Sequence, residues 1–253
     1  RINSSNCCLM PAGKLIIDAG TFNCSKSAGA VFRNTSEIYV NGGVLKGSQF
    51  RPSQYVSSGK TTFVQTGGEV IFDASGEFKD GYATFYMPFD TYTFKMTGGT
   101  LKISGSANSN DDGDGDVFAV NCNPENSKIT GGEIILITKN RKRSHGISCS
   151  IPLYNLTLSN PDNLTPSGNG NNDYKFFFKD YHGTVNRRTI QITIPMSEIQ
   201  ILNNLTIGDN VTFNANDRNV LIGGNLTIAP TAKVYLGNNE VKFNGDGSHI
   251  QQF

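Results

Sequence analysis

The chain of 253 residues has no tryptophan and only five cysteines, at positions 7, 8, 24, 122 and 149. These cysteines form no CxxC pair and no spacing typical of a zinc site, which excludes the common small metal-binding modules. Their odd number does not predict a complete disulfide framework, so we expect buried thiols. A bridge from Cys7 or Cys8 to Cys24 is the alternative.

Charge and long apolar runs are also scarce. The net charge is +1, which gives no basis for binding nucleic acid or an anionic membrane. No run reaches the roughly 18 apolar residues that a membrane helix needs, so no membrane span is predicted. No window keeps an apolar period of 3.6 residues over three turns, so we expect almost no helix.

Glycine and strand-forming residues are abundant instead. The chain has 28 glycines, a residue that tolerates the left-handed backbone of tight turns. Thr, Val, Ile, Phe and Tyr dominate the segments between the turns, and these residues favour strands. The composition therefore predicts an all-β protein with many turns.

One phrase recurs along the chain: a few β-formers, a polar residue, Gly-Gly and a strand. It occurs at Gly42-Gly43, Gly67-Gly68, Gly98-Gly99, Gly131-Gly132 and Gly223-Gly224. A β-sandwich does not require the same turn sequence to recur at a regular spacing, whereas a solenoid stacks the same turn in each repeat. We predict one domain over residues 1–253, a single-stranded right-handed parallel β-helix (β-solenoid) of about ten coils with inserted loops.

The C-terminal part is the most regular. Asn204-Leu205-Thr206-Ile207 returns as Asn225-Leu226-Thr227-Ile228, and Asn155-Leu156-Thr157-Leu158 matches both. We expect the opening Asn residues to stack as a ladder at a turn. Because side chains alternate along a strand, the second and fourth residues of each short strand should face the core. The predicted core residues are Leu205, Ile207, Val211, Phe213, Val220, Ile222, Leu226, Ile228, Val234, Leu236, Val241 and Phe243.

Three segments interrupt the rhythm, and we expect recognition to lie there. The first, near 78–94, is rich in aromatic residues. Tyr82, Tyr86 and Tyr92 are its candidate ligand-binding side chains, because aromatic rings can form a platform for sugars or a protein. The alternative is that these rings seal the core.

The third segment, near 164–188, begins with a loop-forming composition and ends at Arg187-Arg188.

The second interruption, near 108–116, alternates oxygen-bearing side chains with glycine, as calcium loops do. Asp112, Asp114 and Asp116 are the candidate ligands. The segment departs from the EF-hand pattern because position 119 is Ala rather than a bidentate Glu. The alternative is a solvated acidic turn, and no other cofactor is predicted.

Two short segments resemble motifs of polygalacturonase-like hydrolases. Residues 116–121 (Asp-Val-Phe-Ala-Val-Asn) resemble the Asp-containing motif, and residues 144–148 (Ser-His-Gly-Ile-Ser) resemble the His-containing one. Ser144 stands where that family has glycine, and Gly115 where it has aspartate. The resemblance implies a polysaccharide hydrolase or lyase as the alternative function, with Asp114, Asp116 and His145 as candidate catalytic residues.

A broader resemblance covers most of the chain. The Gly-Gly phrase and the Asn-Leu-Thr-Ile segments resemble long, repetitive cell-surface adhesins of Bacteroidota, exported through an outer-membrane system. This resemblance implies a non-catalytic structural or adhesive module of a large secreted protein at the bacterial cell surface. Its expected partners are further domains of the same chain and a surface polysaccharide or protein ligand.

Overall fold

The computed structural model describes residues 2–3, 8–10, 13–25, 30–32, 35–52, 59–74, 83–105, 115–138, 144–161, 175–185, 190–194 and 198–245. All regular structure in these ranges is strand, as the composition predicts, and none of it is helix. Accordingly, the described part of the chain holds no helix that is long and apolar enough to cross a membrane.

The strands are numbered in chain order. They are β1 (Ile2–Asn3), β2 (Cys8–Met10), β3 (Gly13–Ile17), β4 (Thr21–Cys24), β5 (Ala30–Phe32), β6 (Ser36–Val40), β7 (Val44–Gly47), β8 (Phe50–Pro52), β9 (Thr62–Gln65), β10 (Glu69–Phe72), β11 (Phe85–Met87), β12 (Thr93–Ser104), β13 (Gly115–Val120), β14 (Lys128–Ile137), β15 (Ser144–Cys149), β16 (Leu156–Ser159), β17 (Lys175–Phe178), β18 (Tyr181–Val185), β19 (Ile190–Ile194), β20 (Glu198–Ile201), β21 (Leu205–Ile207), β22 (Thr212–Asn214), β23 (Asn219–Ile222), β24 (Leu226–Ile228), β25 (Lys233–Tyr235) and β26 (Val241–Phe243).

The strands form three stacks of parallel neighbours, which the chain visits in turn. We group as the first stack β3, β6, β9 and the first halves of β12 and β14, followed by β20, β23 and β26, which Leu153 joins through a single parallel bridge to Ile201. The second runs β1-β4-β7-β10-β12-β14-β16-β21-β24, and the third runs β2-β5-β8-β11-β13-β15-β17-β22-β25. Because β12 and β14 continue from the first stack into the second, strands β3, β6 and β9 share one 12-stranded sheet with the second stack, whereas β20-β23-β26 is a separate three-stranded sheet. This all-parallel arrangement is compatible with a β-solenoid.

Apolar side chains pair with apolar side chains from one repeat to the next. In the second stack, Leu45 pairs with Val70, Val70 with Leu101, and Leu101 with Ile134. In the third stack, the Phe50 and Phe85 rings lie 4.7 Å apart at 11°, and Phe85 and Phe118 lie 5.6 Å apart at 15°. Stacked strands are spaced about 4.8 Å apart, so like side chains at one register meet face to face.

Seven of the twelve predicted core residues are buried: Leu205, Ile207, Val211, Phe213, Val220, Ile222 and Leu226. Four others, Ile228, Val234, Leu236 and Val241, are partly buried and pack against the core. The prediction was wrong for Phe243, which is 40% exposed. Phe243 lies in β26, the last strand of the first stack, and no further described strand covers it.

The aromatic residues within 85–94 either lie in strands of the stacks or are buried in the connection between two of them. Phe85 and Tyr86 lie in β11, and Phe94 lies in β12. Phe89, between the two strands, is buried as well. Residues 78–82 lie outside the described residues.

The segment near 164–188 contains a departure from parallel pairing. After β17 the chain forms the antiparallel hairpin β18–β19, with Tyr181 paired to Ile194 and Val185 paired to Ile190. The chain then rejoins the first stack at β20. Phe176 and Phe178 of β17 are buried in the core. Residues 164–174 and Arg187-Arg188 lie outside the described residues.

Three cysteine side chains are described, and all three are buried thiols. Cys24 Sγ donates to the carbonyl of Lys46 at 3.2 Å, and Cys149 Sγ donates to the carbonyl of Ile151 at 3.2 Å. Burial raises the pKa of Cys149 to about 12 and that of Cys122 well above its usual value. The prediction of buried thiols is confirmed for these three, whereas the side chains of Cys7 and Cys8 lie outside the described residues.

Candidate functional site

The connection from the first stack to the second is a short turn of nearly constant length, which we call the constant corner. It comprises residues 41–43, 66–68, 97–99 and 130–132, each ending in Gly-Gly. The second glycine of each pair has a left-handed backbone, with φ between +64° and +79°. The Gly-Gly phrase therefore marks a turn between strands at 41–43 and 66–68, as the sequence predicts, and a register irregularity within β12 and β14 at 97–99 and 130–132.

Successive turns at the constant corner lie directly on one another. A Cβ placed on Gly68 would lie 2.5 Å from the carbonyl oxygen of Gly43, and one on Gly99 would lie 2.5 Å from that of Gly67. Separations below 3.0 Å require something to shift, and here the obstacle is backbone. Both the left-handed φ and the close approach therefore require glycine.

Asparagine replaces glycine at the same corner in the later repeats. Asn155 Nδ2 donates to the carbonyl of Gly132 at 2.8 Å, and Asn155 Oδ1 accepts from the backbone N–H of Asn204 at 3.2 Å. Asn204 Oδ1 then accepts from the N–H of Asn225 at 2.9 Å. These three residues confirm the predicted asparagine ladder.

The fifth Gly-Gly pair differs from the other four. Gly223-Gly224 occupies the constant corner between β23 and β24, but Gly224 is not among the residues with a left-handed backbone. A Cβ there would meet Asn203 Oδ1 at 2.6 Å and Asn204 Oδ1 at 2.7 Å. The expectation of one identical turn was wrong here, because these glycines make room for the asparagine ladder.

The connection from the second stack to the third varies in length, and we call it the variable corner. It is short at residues 48–49 and 208–211. In four successive repeats between them it lengthens to residues 73–84, 105–114, 138–143 and 160–174. The acidic segment 108–114 and the basic run 139–143 belong to these connections but lie outside the described residues.

Next to the variable corner, side chains on the outer side of the third stack are buried. Arg51, Tyr86, Ala119 and Ser148 follow the core-facing Phe50, Phe85, Phe118 and Ile147, so they point to the opposite side of the sheet. All four are nevertheless buried. Arg51 Nε donates to Gln49 Oε1 at 2.9 Å. The third stack is thus enclosed on both sides at β8, β11, β13 and β15, whereas Tyr235 of β25 is 54% exposed.

Two ion pairs lie where this outer side becomes partly exposed. Asp116 Oδ1 is 2.7 Å from Lys179 Nζ, and both side chains are about one-fifth exposed. Gly146 lies between their strands, where a Cβ would be only 2.3 Å from Asp116 Oδ1. The second pair joins Asp180 Oδ1 to Arg218 Nη2 at 2.6 Å. No sequence pattern indicates either pair, because the partners lie in different repeats of unequal length.

Asp116 and His145 lie on opposite sides of the third stack. His145 is fully buried, and its ring lies 5.2 Å from that of Phe176 in the core. Asp116 pairs in register with Gly146, the position after His145, and faces Lys179 on the outer side. These two side chains therefore do not converge on one reacting atom, as a catalytic pair would. Asp114 lies outside the described residues.

The candidate tyrosines lie in different surroundings. Tyr86 and Tyr92 are 2% and 0% exposed, and the Tyr92 ring lies 5.0 Å from that of Phe89, edge to face. Burial raises the pKa of Tyr92 above its usual value. Neither ring is presented to a ligand in this structure, so these two aromatics seal the interior. Tyr82 lies outside the described residues.

The calcium hypothesis concerns residues of which only Asp116 is described. Asp112 and Asp114 lie outside the described ranges, and Asp116 faces the Lys179 ammonium group. Elsewhere in the described part of the chain, no group of three His, Cys, Asp or Glu side chains could hold a metal ion. Calcium binding by the 108–116 segment stays a prediction.

No protein-family model matches the chain, and no match was found among curated proteins or among solved structures.

Proposed function

We propose that the chain is a non-catalytic structural and adhesive module of a large secreted protein at a bacterial cell surface. The single observation that carries this proposal is the contrast between corners. Four successive repeats lengthen the connection at the variable corner, while the constant corner keeps its short turn. Rigid repetitive scaffolds commonly present ligand contacts on loops inserted at one edge.

The proposed architecture is a single-stranded right-handed parallel β-helix. The three stacks are visited in a fixed order, and strands of successive repeats pair in parallel, which supports this path. Crossovers between parallel strands of one sheet are right-handed in nearly all proteins, which supports the hand. Such a rod separates stability from recognition, because each repeat buries its apolar face on its neighbours.

The proposed partners are further domains of the same chain, and a surface polysaccharide or protein that contacts the connections of the variable corner. The Asp116–Lys179 ion pair supports this location, since it holds the start of β13, the strand that the connection 105–114 enters. The opposite placement of Asp116 and His145 gives no support to a hydrolase or lyase.

The test is binding of the chain to bacterial surface polysaccharides and intact cells, before and after shortening the variable corner. Deleting residues 164–171 should reduce binding and leave the unfolding temperature nearly unchanged. Calcium binding is tested by thermal unfolding of the same chain. A melting temperature that differs between chelator and millimolar calcium would support the 108–116 site. Release of reducing or unsaturated ends from an acidic polysaccharide would contradict the non-catalytic proposal.

A further inference from the structure

A groove follows the outer side of the first stack. One part, of about 410 Å³, is lined by Lys95, Lys128, Pro152 and Leu202, together with residues 124–127 and Ile129. A second part, of about 360 Å³, is lined by Gln200, Leu202, Leu221 and Asn244, together with Ile201, Gly223 and Gly245. Both parts share Leu202, whose side chain is 44% exposed. The two parts therefore adjoin at this leucine.

The groove crosses the strands instead of following one of them. Lys95 lies in β12, Lys128 in β14, Leu221 in β23, and Asn244 just after β26. Leu202 lies between β20 and β21. Lining residues thus come from successive repeats, each about 4.8 Å from the next. Such a shape suits a linear polymer laid along the stack rather than a small compact molecule.

The groove also contains the one place in the described registers where two cations pair directly. Lys95 and Lys128 are partners on neighbouring strands, and both are exposed. Like charges directly opposite one another destabilise a sheet. By contrast, Lys102 has an acidic partner in Glu69 at 2.5 Å, and Lys179 has one in Asp116 at 2.7 Å. Among the described residues, no carboxylate is ion-paired to Lys95 or Lys128, although Glu125 lines the same groove.

We infer that this groove binds a linear anionic polysaccharide, one that carries carboxylates along its chain as a polyuronate does. Its carboxylates would lie beside the ammonium groups of Lys95 and Lys128. Its hydroxyls would exchange hydrogen bonds with Gln200 and Asn244, and sugar faces would cover Leu202.

The geometry favours a polysaccharide over an acidic peptide. An extended peptide gains its affinity by adding a strand to an open sheet edge. Beneath the groove, β12 and β23 pair on both sides, whereas the first half of β14 pairs with β12 alone and β20 pairs with β23 and the single residue Leu153. A peptide added as a strand would run parallel to these strands, but the groove crosses them, so its long direction suits a polymer bound through side chains.

This site goes beyond the function proposed above, because it lies on the first stack and not at the variable corner. Binding here and binding through the variable corner are separable. A chain with residues 164–171 deleted should keep the groove's affinity for a polyuronate. Substitutions in the groove should leave cell binding through the variable corner intact.

The experiment measures binding of the whole chain to defined polygalacturonate oligomers at low salt, by calorimetry. The Lys95→Gln/Lys128→Gln variant should bind about tenfold more weakly, since two exposed ionic contacts are lost. The matched control is Lys46→Gln/Lys60→Gln, which removes the same charge elsewhere and should bind like the parent chain. Leu202→Asp tests the shared floor of the groove, where a carboxylate should weaken binding to a similar extent.

Two further probes decide the ligand class. Neutral dextran should not bind, and polyglutamate should bind more weakly than polygalacturonate. Equal weakening in both lysine double variants would overturn the site, because it would mean general attraction to positive charge. Absence of polygalacturonate binding, or tighter binding of polyglutamate, would overturn the proposal as well. Thermal unfolding of each variant confirms that it folds.

Discussion

At the constant corner each turn lies directly on the turn of the preceding repeat, whereas at the variable corner successive connections differ in length. The difference follows from what fills each corner. Carbonyl groups approach the Gly-Gly turns so closely that neither a side chain nor an extra residue fits. Asn155 and Asn204 continue the corner by hydrogen bonding from repeat to repeat. At the variable corner, Thr138 Oγ1 donates to Asn160 Oδ1 at 2.7 Å and Asn160 Nδ2 donates to the carbonyl of Asn210 at 3.3 Å, yet the connections that follow differ in length.

The largest expected effect comes from adding a methyl group inside the constant corner. Gly68→Ala combines a left-handed φ of +65° with a Cβ 2.5 Å from the Gly43 carbonyl oxygen. We expect a loss of about 3 kcal/mol in the free energy of unfolding, measured with urea. Gly20→Ala is the matched control, because its φ is +74° but nothing lies within 4 Å of its Cβ. It should cost only about 1 kcal/mol, and equal losses would show that close stacking does not matter.

The second prediction concerns the point where asparagine takes over from glycine. Asn155→Ala removes the bond to Gly132 and leaves the Asn203 and Asn204 donors without their acceptor. We expect a loss of about 2 kcal/mol, because several polar groups at the corner lose their partners together. Asn203→Ala removes only one of these bonds, at 2.9 Å, and should cost about 0.5 kcal/mol. If the order of the two were reversed, the ladder would not depend on Asn155.

The third prediction concerns the third stack and the way that its buried thiol Cys149 makes the free energy of unfolding depend on pH. The pKa of Cys149 is raised from 9.0 to about 12 by burial, so the folded chain holds that proton more tightly than the unfolded chain. Stability is therefore fully present below pH 9 and falls as pH rises from about 9 towards 12, by about 1.4 kcal/mol per pH unit for one such group. Cys122 and Tyr92 shift in the same direction.

Urea unfolding at several pH values between 7 and 11 tests this. Cys149→Ala should be less stable than the parent at pH 7, because a buried side chain is shortened. Its stability should nevertheless fall less steeply above pH 9. Parallel pH profiles for the two chains would mean that the Cys149 thiol is not protected by the fold.

The smallest expected effect lies at the variable corner. Deleting residues 164–171 should change the free energy of unfolding by less than about 1 kcal/mol, because loop length affects closure entropy only slowly. Inserting one glycine after Gly68 in the constant corner is the contrasting variant. A one-residue shift would move apolar side chains to the outer face, so this variant should not fold. Similar tolerance at both corners would remove the distinction between them.

The sequence predicted the constant corner well and the variable corner poorly. The Gly-Gly phrase and the Asn-Leu-Thr-Ile segments recur locally, so the turns, the asparagine ladder and core residues such as Leu205 and Phe213 could be found. Phe243 was misplaced, because burial at the end of a stack depends on what lies beyond it. The pairing of Asp116 with Lys179 could not be found either. It depends on the register between repeats of unequal length, which no local pattern encodes.

Sites were harder to predict than strands for the same reason. Tyr86 and Tyr92 look like a surface platform when the aromatic cluster is taken as an insertion. In the structure both are buried: Tyr86 lies in β11, and Tyr92 lies just before β12 and packs edge to face on Phe89. The Lys95–Lys128 pair is also invisible in the sequence, since it exists only through the register of β12 with β14.

The central claim is that the second stack is one continuous ladder of parallel strands, and a pair of distances tests it most directly. Lys46, Lys102 and Thr227 occupy one register, linked in steps through Ile71 and through Ile135, Thr157 and Thr206. Spin labels on non-natural amino acids at these positions report distances by pulsed electron resonance. We predict about 19 Å between backbone positions 102 and 227, and about 29 Å between 46 and 227. Equal distances, or a shorter distance for the 46–227 pair, would contradict the stack.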